Sequence, residues 1–105
     1  MYKEYRRYPR YSVNARALIT RQDKSSPEKL TTHINTISKG GIGFYSNTFV
    51  GKSTPVTVEL LIDAVGRTEL LEGRIASICL QDKDYFVGIA FDKAISDDRF
   101  AAILG

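Results

Sequence analysis

The sequence predicts an all-β fold, in which six antiparallel strands form a barrel or a sandwich and one short helix follows at the C-terminus. Apolar and polar residues alternate along most of the chain, as they do in half-buried strands. Glycine, proline and small polar residues separate these stretches, and no helical pattern lies between them. Six strands with short connections and no intervening helix favour an antiparallel barrel or sandwich.

The first four strands are predicted in the N-terminal half of the chain. Residues 12–20 alternate cleanly, with Val, Ala, Ala and Ile on one face. A threonine- and isoleucine-rich strand over 30–38 ends at two glycines, and 42–46 continues as the third strand. The fourth strand covers 56–62, where Val, Val, Leu and Ile occupy alternate positions.

The C-terminal half predicts two more strands and the helix. Strands over 68–80 and 85–91 are joined by a hairpin turn at 82–84. Ser96 is a suitable N-cap for a helix over 96–104, because two aspartates follow it in the first turn. The apolar stripe that we expect to dock on the sheet consists of Phe100, Ile103 and Leu104.

Length and composition predict one small soluble domain. The chain has 105 residues, of which 43% are hydrophobic and 26% charged, and these values disfavour disorder. No apolar run is long enough for a membrane span, and the basic start is followed by no apolar segment typical of a secretory signal. The single cysteine, Cys79, fits a reducing compartment and is expected in the core. We therefore predict a cytoplasmic protein.

The net charge of +3 is concentrated in residues 1–10, which hold four basic residues and one acidic residue. The other 95 residues hold 11 bases and 11 acids. A protein that binds long nucleic acid usually spreads basic residues over much of its surface, because it must neutralise many phosphates. Charge on one short arm favours a small anion instead. Pro9 and the scarcity of apolar residues predict that this arm is flexible and not helical.

Two motifs carry the strongest functional signal. They are Arg6-Arg7-Tyr8-Pro9-Arg10 and Thr36-Ile37-Ser38-Lys39-Gly40-Gly41. In order and spacing they resemble the PilZ domain family, whose pattern is an Arg-x-x-x-Arg arm followed by Asp/Asn-x-Ser-x-x-Gly. Thr36 stands where the family has Asp or Asn. Because 71–75 and 85–91 resemble the strands that complete the PilZ barrel, the resemblance covers almost the whole chain.

The resemblance implies a six-stranded antiparallel PilZ-type β-barrel with a short C-terminal helix. It divides the chain into a flexible basic arm, 1–10, and a barrel domain, 11–105. It also implies a bacterial receptor for the second messenger cyclic di-GMP, acting in signal transduction. Ligand binding would order the arm and change the surface offered to a downstream protein, which the sequence does not identify.

The resemblance also assigns the binding residues. Arg6 and Arg10 would hold phosphate and guanine edges, for which the planar guanidinium fork is suited. Thr36, Ser38 and Gly41 would meet a guanine from the barrel surface. Further candidates flank these five positions: Arg7, Asn35, Lys39 and Gly40.

Two neighbours of the second motif need separate interpretation. Asn35 is one residue too early for the family pattern, so its side chain would point to the opposite face of the sheet unless the strand is bulged. Gly43 is expected to serve strand curvature.

The sequence offers no catalytic or metal-binding constellation, because it has one histidine, His33, and one cysteine. We therefore expect a binding protein that is not an enzyme and needs no cofactor. Two alternatives remain. One is a PilZ-fold protein-interaction module that does not bind the nucleotide, and the other is a small barrel that binds single-stranded nucleic acid through the tyrosines and arginines of the arm.

Overall fold

The computed structural model describes residues 8–22, 29–47, 51–62 and 67–104. They form a closed six-stranded antiparallel barrel and one C-terminal helix, so the predicted fold class is confirmed. The elements are β1 (Tyr11–Arg21), β2 (Lys29–Ser38), β3 (Gly41–Ser46), β4 (Pro55–Ile62), β5 (Arg67–Gln81), β6 (Asp84–Phe91) and α1 (Asp97–Leu104). Around the barrel the strands follow the order β1-β2-β3-β6-β5-β4.

The barrel encloses one apolar core, to which all six strands contribute. The inward positions are those that the alternating pattern predicts, because successive side chains of a strand point to opposite faces. On β6, for example, Val87 and Ile89 are completely buried and Phe91 nearly so. Phe86, which precedes Val87, points outward and is half-buried.

The expectation that Cys79 lies in the core is wrong, since this residue is exposed. A register shift between Ile75 and Ser77 inserts one extra residue into β5 opposite β6. Because such a bulge changes which face the following side chains occupy, Ile78 packs against the core three positions after the buried Ile75. Cys79 then pairs with Phe86 on the outer face.

Helix α1 packs against the same core as the strands. Phe100 and Ile103 are buried, whereas Leu104, which we expected in the apolar stripe, is 41% exposed. Ser96 acts as the predicted N-cap, since its Oγ accepts from the backbone N–H of Arg99 at 3.4 Å. The Arg99 guanidinium also donates through Nε to the carboxylate of the buried Glu69 on β5 at 2.9 Å.

Helix α1 has eight residues and is the only helix in the described part of the chain. No helix there is long and apolar enough to cross a membrane.

Candidate functional site

The end of the basic arm lies beside the second motif. Tyr11, the first residue of β1, pairs with Ile37 on β2, and Ser12 pairs with Thr36. Arg10 directly precedes Tyr11 and is exposed, so the antiparallel register directs it toward the turn that begins at Ser38. Arg6 and Arg7, the other arginines of the predicted arm, lie outside the described residues.

The turn between β2 and β3 is held by its own hydrogen bonds and by the segment that precedes α1. Ser38 is 2% exposed, and its Oγ accepts from the backbone N–H of Gly40 at 3.2 Å. The carbonyls of Lys39 and Gly40 accept from the N–H groups of Ile95 and Phe91, each at 2.8 Å. In this conformation Ser38 therefore shapes the glycine turn from beneath, and Gly40 and Gly41 are buried with it.

Asn35 and Thr36 both point outward, although they are adjacent in β2. Ile34 and Ile37 are 2% and 1% exposed and both belong to the core, yet they are three positions apart. The inward and outward alternation is therefore interrupted between them, where β1 and β2 also change register. Asn35 is exposed and Thr36 half-buried, so the strand irregularity places Asn35 on the same outer face as Thr36.

A band of small residues crosses the outer face of the barrel at the level of Thr36. Successive strand pairs join one residue on each of five neighbouring strands: Ser12, Thr36, Gly43, Gly88 and Ser77. Because none of these side chains is larger than threonine, the band forms a low shelf. One position on it belongs to the predicted site, and the others were not predicted.

Phe86 borders this shelf and covers one of its glycines. A Cβ built on Gly43 would lie 2.7 Å from Cζ of Phe86 and 2.9 Å from Oγ1 of Thr36. The phenyl ring thus occupies the space that a side chain at position 43 would need. We expected Gly43 to serve strand curvature, whereas the structure shows that its missing side chain admits an aromatic ring beside Thr36.

Tyr45 extends this aromatic surface along β3. It pairs directly with Phe86, and the two ring centroids are 4.9 Å apart with an angle of 65° between the ring planes. Its hydroxyl and the Oε1 of Gln81 are 3.3 Å apart, a hydrogen bond that the hydroxyl donates. Tyr45 is nevertheless 45% exposed. Sequence reasoning missed both aromatic residues, and a glycine inside a strand was the one signal that pointed to them.

Lys39 connects the turn to α1 electrostatically. Its ammonium forms a hydrogen-bonded ion pair with the Asp97 carboxylate. This hydrogen bond raises the pKa of Lys39 and lowers the pKa of Asp97 from their ordinary values. The ring of Tyr11 contacts Phe100 nearby, with centroids 5.7 Å apart. The start of β1, the turn and the helix therefore meet at one end of the barrel.

The described residues contain no group of three or more His, Cys, Asp and Glu side chains that could hold a metal ion. The features that remain for ligand recognition are Arg10, the outward polar pair Asn35 and Thr36, the glycine turn and the aromatic surface. Guanidinium, amide and aromatic groups suit a ligand that combines phosphates with planar bases.

A comparison with protein-family models gives a match over almost the whole chain. The family model described as the PilZ domain matches residues 4–104. Among curated proteins, no sequence gives a significant match.

Solved structures show the same fold. The PilZ domain with c-di-GMP of YcgR from Escherichia coli has a TM-score of 0.67 at 17% identity, covering 93% of this chain and 85% of that one. The K. pneumonia MrkH–c-di-GMP complex has a TM-score of 0.68 at 15% identity, covering 94% of this chain and 48% of that one. The Bacillus subtilis inhibitor of motility, MotI/DgrA, has a TM-score of 0.70 at 15% identity, covering 94% of this chain and 47% of that one. The chain thus spans about half the length of the last two proteins.

Proposed function

Because the chain belongs to the PilZ domain family, we propose that it is a receptor module for cyclic di-GMP and that it signals by binding rather than by catalysis. The observation that carries this proposal is the register of β1 against β2. Tyr11 pairs with Ile37, so Arg10 lies beside the turn formed by the second motif. Arg10, the described end of the first motif, thereby lies beside the second motif, from which 25 residues separate it in the sequence.

The chemistry of this surface matches the two parts of the ligand. The Arg10 guanidinium can donate two parallel hydrogen bonds to a phosphate or to O6 and N7 of guanine, and we assign Arg6 the same role from the arm. Asn35 and Thr36 point outward where a guanine edge would lie, whereas Gly41 is buried and contributes through the conformation of the turn. Lys39 and Gly40 lie in the turn beside this surface, and we assign Arg7 an accessory role from the arm. Ser38 contributes through the shape of the turn.

We expect ligand binding to change the conformation of the arm. The arm supplies the arginines, so bound ligand should draw residues 6–10 onto the barrel and create a new surface for a downstream protein. The expected signature is slower amide hydrogen exchange at these residues when cyclic di-GMP is added. Strong protection of the same amides in the free protein would contradict a ligand-driven change.

Isothermal titration calorimetry with cyclic di-GMP tests the receptor function directly. We expect wild type to bind in the micromolar range or tighter and Arg10→Ala to lose most of this affinity. Arg16→Ala is the matched control, because Arg16 is likewise an exposed arginine but lies within β1, four positions beyond Ser12. It should bind like wild type.

Two results would overturn the proposal. One is no binding by wild type at ligand concentrations far above micromolar, and the other is equal affinity of wild type and Arg10→Ala. A mixed-sequence single-stranded oligonucleotide serves as the competing ligand. Tighter binding of the oligonucleotide than of cyclic di-GMP would favour a nucleic-acid-binding barrel.

A further inference from the structure

We propose that Phe86 and Tyr45 form an aromatic wall on which one guanine of the ligand stacks. This inference rests on the proposed receptor function and adds a recognition element outside the two sequence motifs. Both residues lie on the outer face of the barrel, on β6 and β3, and they pair directly across these strands. They are therefore on the same outer face as Thr36. Each lies two residues along its strand from a glycine of the shelf, Gly43 on β3 and Gly88 on β6.

The space above Gly43 shows how close Phe86 lies to Thr36, a residue of the predicted site. Cζ of Phe86 and Oγ1 of Thr36 approach the same point above Gly43, at 2.7 and 2.9 Å. The phenyl ring and the threonine hydroxyl are thus immediate neighbours. A base whose edge reaches Thr36 or Asn35 would have its plane beside this ring.

Part of the shelf leaves room for such a base. Gly43 and Gly88 pair directly and Ser77 follows on β5, so these three residues place no bulky side chain on the row, and the Phe86 ring lies over its Gly43 end. The Phe86 ring lies over Gly43 and Tyr45 packs beside it, with an angle of 65° between the two ring planes. A planar ligand can therefore lie along the shelf with a face against one of the rings.

The identity of residue 36 indicates why base stacking would matter for the ligand affinity of this chain. An Asp or Asn at this position would bond a guanine edge, but the Thr36 hydroxyl is shorter and is already close to the Phe86 ring. Stacking does not require a particular edge of the base, because every base has a π face. We infer that this chain obtains from stacking part of the affinity that a longer polar side chain would supply.

Three variants test the wall. Phe86→Leu keeps an apolar side chain but removes the aromatic face, and we expect about tenfold weaker cyclic di-GMP binding, within the range typical for loss of one base-stacking contact. Phe86→Trp keeps an aromatic face and should retain affinity. Because the chain has no tryptophan, the new indole also reports on its surroundings, and its emission should change when ligand binds. Leu70→Ala, at a 66% exposed position on β5, is the control.

The outcomes separate the two proposals. If wild type does not bind cyclic di-GMP, the receptor function fails and the wall with it. If wild type binds, equal affinity of Phe86→Leu or an unchanged tryptophan emission in Phe86→Trp overturns the wall alone. Should Phe86→Leu fail to fold, as the absence of a cooperative thermal transition would reveal, the emission of Phe86→Trp decides whether the ligand lies beside this residue. Weakening by Leu70→Ala to the same extent as by Phe86→Leu would also count against the wall.

Discussion

Lys39, in the turn between β2 and β3, forms an ion pair with Asp97 in the first turn of α1. A backbone hydrogen bond accompanies it, because the carbonyl of Lys39 accepts from the N–H of Ile95 in the segment that enters the helix, while the carbonyl of Gly40 accepts from Phe91 at the end of β6. The candidate ligand-binding turn is therefore joined to the C-terminal helix by both electrostatic and main-chain contacts. A carboxylate at the start of a helix is also favoured by the helix dipole.

The ion pair predicts a defined pH window. The hydrogen bond to Lys39 lowers the pKa of Asp97 below its ordinary value of 3.8, so the stabilisation is present above that value and disappears as the pH falls through the folded-state pKa. The pKa of Lys39 is raised above 10.5, so its part is present below 10.5 and disappears as the pH rises through the folded-state pKa. The full contribution should therefore be present between 3.8 and 10.5.

An NMR titration of the Asp97 carboxyl carbon measures this coupling. In Lys39→Met the apparent pKa of Asp97 should rise toward its ordinary value, because the donor is gone. Lys93→Met removes another exposed lysine from the segment before α1 and is the matched control. The same Asp97 titration curve in wild type and Lys39→Met would show that the pair does not persist in solution.

The salt bridge between Arg99 and Glu69 predicts a measurable contribution of the docked α1 to the free energy of unfolding. Glu69 is 8% exposed, and both Nε and Nη2 of Arg99 donate to its Oε1. Arg99→Ala would leave a buried carboxylate without this partner, whereas the guanidinium itself is half-exposed and partly screened by solvent. We expect about 1–2 kcal/mol lower free energy of unfolding.

Chemical denaturation compares Arg99→Ala with wild type, and Lys93→Ala serves as a control for loss of a nearby positive charge. The control should stay within about 0.5 kcal/mol of wild type, as is usual for surface substitutions. If Arg99→Ala is as stable as the control, the salt bridge contributes nothing to the docking of α1.

Asn35 and Thr36 give a prediction about the motif. From the family pattern alone, Thr36→Asn is expected to tighten binding, because Thr36 stands at the Asp or Asn position. The structure instead favours Asn35 as the amide that meets the base, since it is exposed on the same face while Thr36 lies against Gly43 and Phe86. Asn35→Ala should therefore weaken cyclic di-GMP binding by about 1 kcal/mol, the usual net contribution of a hydrogen bond.

Calorimetry on Asn35→Ala, Thr36→Ala and Thr36→Asn distinguishes the two residues. We expect the loss at Asn35 to exceed the loss at Thr36, and little gain from Thr36→Asn. A clear gain from Thr36→Asn combined with unchanged binding by Asn35→Ala would show that the amide is needed at position 36 itself.

The sequence predicted the strands and the helix well because each is a local pattern. Alternation, β-favouring residues and turn signals located all six strands, and Ser96 with its following aspartates located the start of α1. The error at Cys79 arose where a strand is irregular. The extra residue near Ser77 turned Cys79 outward, because a single insertion changes the face of the residues after it. The condition under which Asn35 was expected to face outward, an irregular strand, is met between Ile34 and Ile37, where the register with β1 shifts.

The aromatic part of the candidate site lies beyond local patterns for a different reason. Phe86 reaches Gly43 only because β3 and β6 are neighbours in the closed barrel, although they are far apart in the sequence. A glycine within a strand indicates close approach by some group, but not by which one. The glycine turn could be predicted because its residue types resemble a known pattern, whereas the contact of Phe86 with Gly43 required the strand order.

Two glycines of the barrel give the final prediction, because an added methyl group would meet very different neighbours. At Gly73 the Cβ would lie 2.4 Å from the carbonyl oxygen of Ala90, a backbone atom of the adjacent strand. At Gly43 it would meet the tip of the Phe86 ring and the Thr36 hydroxyl, which can move aside. Gly73→Ala should cost about 3 kcal/mol of unfolding free energy and Gly43→Ala about 1 kcal/mol, within the range for overpacking.

Gly51→Ala is the matched control, since the nearest atom to its Cβ is Oγ1 of Thr54 at 3.6 Å, an ordinary contact distance. Its stability should lie within about 0.5 kcal/mol of wild type. Urea denaturation of the three variants gives the order of their free energies of unfolding. If Gly43→Ala cost as much as Gly73→Ala, the Phe86 ring would have to be as fixed as the backbone of β6. If instead Gly43→Ala were as stable as Gly51→Ala, the ring would not rest on Gly43 in solution, and the position assigned to the aromatic wall would be wrong.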